Sequence, residues 1–399
     1  MPKSYEYIII GGGLAGSAAI DGIRERDPHG SILLINAEAH LPYNRPPLSK
    51  DLWFGKETVA EIFTHEEAWY ADNGVEVKLN TRVEEIEPGV RLVTDHKGEV
   101  FSYGKLLLAT GGTPRTLDIP GGDFDDIIYY RTLADYQKLR EKAQPGTSAV
   151  VIGGGFIGSE IAAALQTAGV QVTMIFRGPG MVSRVFPADL AASVRAGFIE
   201  HGVKILDDTP RQFIESDGRF TTVTKGGESV ESDMIVVGIG ILPGEELAVD
   251  AGINCENGIL VDEFQKTATP HVYAAGDVAQ FPYKALEQMT RIEHWDHARK
   301  QGKQAGANMA GADQPYEYMP YFFSDLFDVS FEAVGEVDAS LETFAVWQEE
   351  FKAGIVYYLR DREVRGVMAC NVWKKMKPAR ELIASGCEMT DDDLKAALG

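Results

Sequence analysis

The stretch from Tyr7 to Ala19 reads YIIIGGGLAGSAA and predicts the fold more directly than any other part of the chain. An apolar run is typical of a buried parallel strand, and the alanine-rich tail is typical of a helix. Gly11, Gly13 and Gly16 have the spacing G-x-G-x-x-G, called the first fingerprint below. Glycine is needed there because the turn is tight and the backbone approaches a pyrophosphate, to which the helix start offers free N–H groups.

The same pattern recurs from Ala149 to Glu160, which reads AVVIGGGFIGSE and contains the second fingerprint, Gly153, Gly155 and Gly158. Predicted strands at 31–35 and 172–176 complete the two units. One glycine pattern is a weak signal, but two in strand–glycine–helix–strand context are strong. They predict an α/β chain with two dinucleotide sites, one for a resident cofactor and one for an exchanging coenzyme. A third segment, 267–277, predicts a short strand ending in a Gly-Asp turn, which by itself is an ordinary turn.

The length and composition of the chain limit the classes of function that it can have. With 399 residues the chain is too long for one core and predicts two or three domains. The net charge of −22 argues against nucleic acid and anionic membranes as partners, although solubility alone also explains it. The three cysteines form no C-x-x-C pair and predict a reducing compartment. No signal peptide, long apolar run or metal motif is visible, so we expect a cytoplasmic protein without a membrane span or metal.

In this order the three segments resemble the two-dinucleotide-binding flavoproteins, with their glutathione-reductase-like architecture. The sequence LPYNRPPLSK at 41–50 resembles bacterial ferredoxin reductases and the apoptosis-inducing factor group, and segments 293–298, 323–325 and 354–380 resemble the latter. No cysteine precedes Cys255, which excludes the redox cysteines of the disulfide reductases, NADH oxidases and peroxidases. The shorter C-terminal region and the lack of a presequence suggest a compact prokaryotic relative without a cell-death role.

The resemblance implies two Rossmann-like domains and a C-terminal α/β domain. We expect an FAD domain at 1–112 and 240–308, an NAD(P)H domain at 113–239 and an α/β domain at 309–399 that covers the flavin. The residues implied for FAD are Gly11, Gly13, Leu14, Ala15, Gly16, Glu38, Arg45, Lys50, Val83, Thr110, Gly111, Arg131, Gly276, Asp277, Glu293, His294 and Trp295. Those implied for the coenzyme are Gly153, Gly155, Phe156, Ile157, Gly158, Glu160, Arg177, Gly238 and Gly240.

Four residues are candidates for the chemistry. Lys50 and Glu160 match a Lys–Glu pair that the family places beside the flavin N5, and we expect Glu160 on the first turn of its helix, where the dipole favours a carboxylate. A solvated surface charge is the alternative for either residue. His294 and Trp295 resemble residues flanking the isoalloxazine, and ordinary core packing is the alternative. Phe323 stands where ferredoxin reductases often have tryptophan.

The residues after the fingerprints bear on the ribose contacts. A carboxylate about 20 residues after the first fingerprint should bind the adenosine ribose, and Glu38 is preferred over its neighbour Ala37 for that role. No carboxylate ends the strand after the second fingerprint, where Arg177, with Arg184, could hold the 2′-phosphate of NADPH. The apoptosis-inducing factor branch also has phenylalanine in the matching place and uses NADH. NADH is therefore narrowly preferred, and NADPH stays open.

These features predict an NAD(P)H-dependent flavoprotein reductase, in which hydride passes from nicotinamide C4 to flavin N5. Electrons would then pass to a ferredoxin- or rubredoxin-like protein, a quinone or another acceptor. Region 360–380 contains seven basic and two acidic residues and suits a small acidic redox protein, although a solvated face explains it as well. Aromatic residues in 316–331 could line a quinone pocket or a sheet core. The alternative function is a redox-sensing interaction protein whose NADH-reduced complex changes conformation or dimerisation; a homodimer is left open.

Overall fold

A computed structural model describes residues 2–178 and 180–398 of the chain. The strands are β1 Lys3–Ile10, β2 Ile32–Ile35, β3 Val75–Lys78, β4 Val83–Glu87, β5 Leu92–Asp95, β6 Val100–Leu108, β7 Gly112–Pro114, β8 Ile128–Tyr129, β9 Ser148–Ile152, β10 Gln171–Phe176, β11 Lys204–Asp207, β12 Pro210–Ser216, β13 Arg219–Thr224, β14 Ser229–Ser232, β15 Met234–Val237, β16 Ile241–Pro243, β17 Ile259–Leu260, β18 Val272–Ala274, β19 Ala279–Tyr283, β20 Gln288–Arg291, β21 Tyr321–Leu326, β22 Val329–Gly335, β23 Glu342–Glu349, β24 Ala353–Arg360 and β25 Glu363–Cys370. The α-helices are α1 Leu14–Arg24, α2 Glu67–Asp72, α3 Leu133–Lys142, α4 Phe156–Thr167, α5 Ala188–Glu200, α6 Glu246–Asp250, α7 Trp295–Met309, α8 Met376–Ser385 and α9 Asp391–Ala397.

The chain divides into two compact units. The first unit contains Met1–Asn44, Thr58–Thr113 and Leu242–Pro320, and the second contains Arg45–Glu57, Pro114–Ile241 and Tyr321–Gly399. The two units are groups of residues that pack together, whereas the predicted domains were defined by the nucleotide that each segment would bind. The three-domain division therefore stays a prediction.

The first unit is built on a largely parallel sheet with the strand order β3-β2-β1-β6-β5-β4, and β18 also pairs with β6. Ile10 at the end of β1 is level with Ile35 and Leu108, so three strands end at one edge of the sheet. Helices α1 and α7 pack backbone to backbone: a Cβ at Gly306 would lie only 2.0 Å from the carbonyl oxygen of Ala19. This close packing fixes α1 against α7.

The second unit contains a parallel sheet with the order β11-β10-β9-β15-β8 and a three-stranded antiparallel sheet, β12-β13-β14. Its C-terminal part is an antiparallel sheet, β21-β22-β25-β24-β23, with α8 packed on β22 and β25. Phe331, Tyr357 and Tyr358 are fully buried in this region. The predicted fold class, two Rossmann-like regions followed by a C-terminal α/β region, is confirmed.

Candidate active site

The first fingerprint forms a tight turn between β1 and α1. Gly11 has a φ of +116°, and a Cβ there would lie 2.1 Å from the carbonyl oxygen of Ala109. A Cβ at Gly16 would lie 2.1 Å from the carbonyl oxygen of Gly11. Backbone therefore occupies the space that a side chain would need at both positions, which explains why the sequence has glycine there.

The start of α1 fits a phosphate group. Gly13 caps the helix without a side-chain hydrogen bond, and the first turn, which includes Leu14 and Ala15, has no acidic residue. A Cβ at Gly13 would meet no atom within 4 Å, so the space in front of the helix is open. Unpaired N–H groups at the positive end of a helix dipole bind anions. The residues present therefore fit the pyrophosphate of a dinucleotide such as FAD.

The Gly276–Asp277 turn follows β18 and lies close to the start of α1. Gly276 has a φ of +81°, and a Cβ there would lie 2.7 Å from the Cβ of Ala15. The turn is held from two sides: the N–H of Gly276 donates to Gln301 Oε1 at 2.8 Å, and Arg291 Nη1 donates to the carbonyl oxygen of Asp277 at 2.9 Å.

The sequence patterns did not predict that Gln301 and Arg291 hold the Gly276–Asp277 turn. Arg291 Nη1 also lies 2.7 Å from Glu293 Oε1, so one guanidinium joins two of the predicted FAD residues, Asp277 and Glu293. Gln301 is fully buried on α7. Neither residue belongs to a recognisable motif, because their partners are set by how α7 and β20 pack and not by local spacing.

The other predicted FAD residues of this unit lie in loops and at strand ends. Glu38 follows β2 and its Oε2 accepts a 2.6 Å hydrogen bond from the hydroxyl of Tyr43. Thr110 Oγ1 donates to the carbonyl oxygen of Gly244 at 2.6 Å, and Gly111 has a φ of +66°. Val83 is buried at the start of β4.

His294 and Trp295 begin α7, with His294 as the N-cap. Both are only partly buried, and Trp295 Nε1 donates to Asn44 Oδ1 at 2.8 Å. Although part of His294 is exposed, the protein around the imidazole displaces water from it and lowers its pKa to about 4, so the ring is neutral at pH 7. The fully buried core histidine is instead His297, whose ring stacks on Phe281 with 4.8 Å between centroids.

The second fingerprint repeats the same turn between β9 and α4. Gly153 has a φ of +113°, and a Cβ there would lie 2.3 Å from the carbonyl oxygen of Gly238. A Cβ at Gly158 would lie 2.2 Å from the carbonyl oxygen of Gly153. Gly155 caps α4 without a side-chain hydrogen bond and has open space where a Cβ would point. The arrangement fits a second dinucleotide.

The remaining predicted coenzyme residues surround this turn. Ile157 is 40% exposed, and the ring of Phe156 packs on that of Phe322 with 5.7 Å between centroids. Gly240 has a φ of +96°, and its carbonyl oxygen accepts a 2.9 Å hydrogen bond from the N–H of Arg115. Arg177 is exposed just after β10.

Glu160 is buried on α4 and is bound by three donors. Lys50 Nζ makes an ion pair with Oε1, Ser324 Oγ donates to Oε1 at 2.6 Å, and Ser49 Oγ donates to Oε2 at 2.5 Å. Glu160 lies in the second turn of α4, not the first as predicted, because the helix begins directly after Gly155. Its charge is therefore balanced by the three side chains and not mainly by the helix end.

Lys50 is held by the segment around it. It is 7% exposed and follows a short 3₁₀ turn, Pro46–Ser49. The carbonyl oxygen of Leu48 accepts hydrogen bonds from the hydroxyl of Tyr130 and from Trp53 Nε1. Lys50 Nζ also lies 3.6 Å from Asp325 Oδ2. The solvated-charge alternative for Lys50 is therefore wrong.

Phe323 and the arginines that the sequence analysis singled out in the second unit make the following contacts. Lys50 Nζ lies 5.5 Å from the centre of the Phe323 ring. Arg45 Nη1 donates to the carbonyl oxygen of Arg131 at 2.8 Å, which joins two residues predicted to bind FAD. Arg184 is exposed, and its carbonyl oxygen accepts a hydrogen bond from the N–H of Ala339.

Cys255, Cys370 and Cys387 are free thiols and form no disulfide with one another. Burial raises the pKa of the Cys370 thiol to about 12 and, with Glu245 nearby, that of Cys255 to about 11. Both thiols are therefore protonated at neutral pH and poor nucleophiles. Within residues 2–178 and 180–398, no helix is long and apolar enough to cross a membrane, and no group of three or more metal-ligating side chains is arranged to hold an ion.

Residues 5–302 match the family model of pyridine nucleotide-disulphide oxidoreductases. The chain belongs to this family. Residues 305–350 match the model of the C-terminal region of mitochondrion-associated apoptosis-inducing factor. The resemblance proposed from the sequence is thus confirmed, and the protein is an NAD(P)H-dependent flavoprotein oxidoreductase that uses FAD.

Three relatives illustrate the similarity. The chain is 34% identical to mitochondrial apoptosis-inducing factor 1 of Dictyostelium discoideum, over 96% of this chain and 78% of the relative. It is 35% identical to the ferredoxin–NAD(+) reductase component of the anthranilate 1,2-dioxygenase system of Burkholderia cepacia, over 95% and 94%. The solved covalent putidaredoxin reductase–putidaredoxin complex contains a similar chain, with a TM-score of 0.90, 27% identity and coverage of 97% and 95%.

Proposed function

We propose that the protein is an NADH-dependent reductase of a small acidic redox protein of the ferredoxin kind. FAD would be held by the first fingerprint and the coenzyme by the second. The observation that carries the proposal is the buried ion pair between Lys50 and Glu160, of which Glu160 lies on the helix of the second fingerprint, in a chain without a redox cysteine pair. The Burkholderia relative is a ferredoxin–NAD(+) reductase component, and the solved complex joins putidaredoxin reductase to putidaredoxin. Both support a ferredoxin-like protein as the acceptor.

FAD, when bound, takes a hydride from the nicotinamide and supplies single electrons to an acceptor. The residues of the chain bind and orient. The amides at the start of α1 would hold the pyrophosphate, and the carboxylate of Asp277, on a turn fixed by Gln301 and Arg291, would accept hydrogen bonds from ribityl hydroxyls. His294, neutral at pH 7 because its pKa is lowered to about 4, would contact the ring without adding charge.

Lys50 would supply a positive charge that stabilises the reduced flavin. Ser49, Ser324 and Lys50 all donate to Glu160, so this carboxylate is fixed by three side chains. Its role would be to keep the ammonium group of Lys50 in place. Fixed charges of this kind work without reorganisation during the reaction.

The acceptor would bind to a smaller surface than the whole of region 360–380. Glu336 makes ion pairs with Arg360 and Arg365, and Asp391 makes one with Arg362, so carboxylates offset these three charges of region 360–380. Lys374 and Lys377 are exposed, and Trp373 between β25 and α8 is 52% exposed. We call Trp373, Lys374 and Lys377 the docking surface. An exposed aromatic side chain beside lysines suits an acidic protein partner.

A charge-reversal experiment tests the proposal. The double variant Lys374→Glu/Lys377→Glu should raise KM for a bacterial [2Fe-2S] ferredoxin about tenfold or more at low ionic strength, while NADH–ferricyanide turnover stays unchanged. The control Lys204→Glu/Lys225→Glu makes the same net charge change at other exposed lysines. An equal effect of both double variants would show that only the overall charge matters and would contradict the docking surface.

The redox-sensing alternative keeps support from the match to apoptosis-inducing factor. It predicts no rapid turnover with ferredoxin, together with a change in oligomer size on adding NADH. Size-exclusion chromatography of the anaerobically reduced protein separates the two hypotheses. A quinone reductase would turn over quinone with an unchanged KM in the Lys374→Glu/Lys377→Glu variant.

A further inference from the structure

We infer that Asp207, at the end of β11, is the residue that makes this protein select NADH over NADPH. This inference rests on the proposed coenzyme site at the second fingerprint. It assigns to a neighbouring strand the carboxylate that the sequence lacks at the end of β10.

The position of Asp207 follows from strand register. In dinucleotide-binding folds a carboxylate about 20 residues after the glycines binds the ribose 2′-hydroxyl. Here that place is occupied by Phe176 and Arg177, at the end of β10. Strand β11 pairs with β10 in parallel, and Asp207 is directly level with Phe176. The adjacent strand therefore brings a carboxylate to the same edge of the sheet.

Contacts direct the carboxylate toward the loop after β10. Asp207 Oδ1 accepts a hydrogen bond from the N–H of Gly178 at 3.3 Å, and Oδ2 lies 3.9 Å from Arg195 Nη1. The side chain of Asp207 is 58% exposed, so a ribose hydroxyl can reach it from solvent. A carboxylate accepts a hydrogen bond from the 2′-hydroxyl of NADH.

Arg195, a group that could hold a 2′-phosphate at this edge, is already engaged with the protein. Arg195 Nη1 donates to the carbonyl oxygen of Gly178 at 3.4 Å, and its guanidinium lies 5.7 Å from the centre of the Phe176 ring. Hydrogen bonds from Thr224 and from backbone N–H groups, with a smaller contribution from Arg177, lower the pKa of Asp208. Arg177 and Arg195 therefore each lie near a carboxylate.

Asp207 would therefore discriminate against NADPH because its carboxylate repels the 2′-phosphate. A 2′-phosphate at this edge would compete with Asp207 for the N–H of Gly178 and for Arg195, and it would bring like charges together. Like-charge contacts and the loss of a hydrogen-bond donor both weaken binding of the wrong ligand. NADH, with its hydroxyl, meets neither penalty.

The test compares Asp207→Asn and Asp207→Ser with the control Asp208→Asn, which neutralises the adjacent carboxylate. For each protein, kcat/KM is measured with NADH and NADPH, and Kd is measured for NAD⁺ and NADP⁺ by titration calorimetry. Both Asp207 variants should shift the NADH/NADPH preference toward NADPH about tenfold or more, and the Kd ratio in parallel. Asp208→Asn should shift it much less.

The outcomes separate this inference from the proposed function. A wild-type preference for NADH that neither Asp207 variant changes would overturn the inference and leave the proposed coenzyme intact. An equal shift in Asp208→Asn would also overturn it, because general charge would then explain the effect. A wild-type preference for NADPH would contradict both.

Discussion

The two fingerprints have almost the same backbone and different surroundings. Gly11 and Gly153 have φ values of +116° and +113°, and the caps Gly13 and Gly155 have φ values of −83° and −82°. In both turns a Cβ on the first glycine would collide with a carbonyl oxygen of an adjacent strand or loop. The shared backbone gives each turn the same capacity to hold a pyrophosphate.

The difference lies two residues after the last glycine. Ala18 occupies this position on α1 and Glu160 occupies it on α4, and both are buried. An alanine needs no partner, whereas a buried carboxylate needs donors, which Ser49, Lys50 and Ser324 provide. The glycines therefore determine the turn, whereas the buried carboxylate after the second turn requires donors from other segments of the chain.

The largest effects are expected from the glycines themselves. Gly11→Ala places a Cβ against Ala109 and should abolish FAD retention, and Gly153→Ala places one against Gly238 and should leave FAD bound while NADH no longer reduces it. Each substitution should lower stability by about 3 kcal/mol or more because backbone must move. Flavin absorbance of the purified proteins and thermal unfolding measure both effects.

The control is Gly197→Ala, in the interior of α5, where a Cβ would meet no atom within 4 Å. It should stabilise the protein by about 0.5–1 kcal/mol, because alanine favours a helix. If Gly11→Ala kept its flavin and Gly153→Ala lost it, the roles assigned to the two turns would be reversed.

Substitutions in the Lys50–Glu160 ion pair should have the next largest effect. Lys50→Met leaves Glu160 buried without its cation and should lower the free energy of unfolding by about 3–5 kcal/mol, measured by urea unfolding. Lys50→Met/Glu160→Met replaces both partners and should cost clearly less than the single substitution. A double variant less stable than Lys50→Met would contradict the account of the pair.

Buried His297 makes the first unit sensitive to acid. Burial lowers its pKa from 6.5 to about 3, so below about pH 6.5 the unfolded chain gains a proton that the folded chain does not. Stability should therefore fall as pH decreases, with His297 contributing a loss of about 2 kcal/mol at about pH 5. His297→Phe should reduce this slope in unfolding curves, whereas exposed His29→Asn should not. An unchanged slope in His297→Phe would contradict the assignment.

Gln301→Met gives the smallest expected effect. It leaves the N–H of Gly276 without its acceptor and should cost about 1–2 kcal/mol of stability. If the Gly276–Asp277 turn holds FAD, the variant should also bind FAD several-fold more weakly in fluorescence titrations of the apoprotein. Gln304→Met, one turn away on α7, is the control. Equal FAD affinity in the two variants would show that Gln301 does not position the turn.

Sequence spacing predicted the features that depend on neighbours along the chain. Both fingerprints, the strand before the Gly276–Asp277 turn and the fold class follow from short patterns whose physical cause is local. The pairing of Lys50 with Glu160 came from a family resemblance. Local spacing could not have indicated it, because the two residues are 110 positions apart.

The residues that sequence reasoning missed depend on tertiary packing. Ser49 and Ser324 meet Glu160 across 111 and 164 positions, and Gln301 reaches Gly276 only because α7 packs against α1. Asp207 becomes relevant only once the register of β10 and β11 is known. Region 360–380 looked more basic than it is, because Glu336 and Asp391, its carboxylate partners, lie outside it.

The central claim is that the first fingerprint retains a flavin that a coenzyme at the second one reduces. Anaerobic titration of the purified protein with NADH, followed by the visible absorbance of the flavin, tests it most directly. The account predicts that FAD copurifies with the protein, that NADH bleaches it in stoichiometric amount, and that oxidised ferredoxin rapidly restores the colour. A protein that retains no flavin, or a bound flavin that neither NADH nor NADPH bleaches, would contradict it.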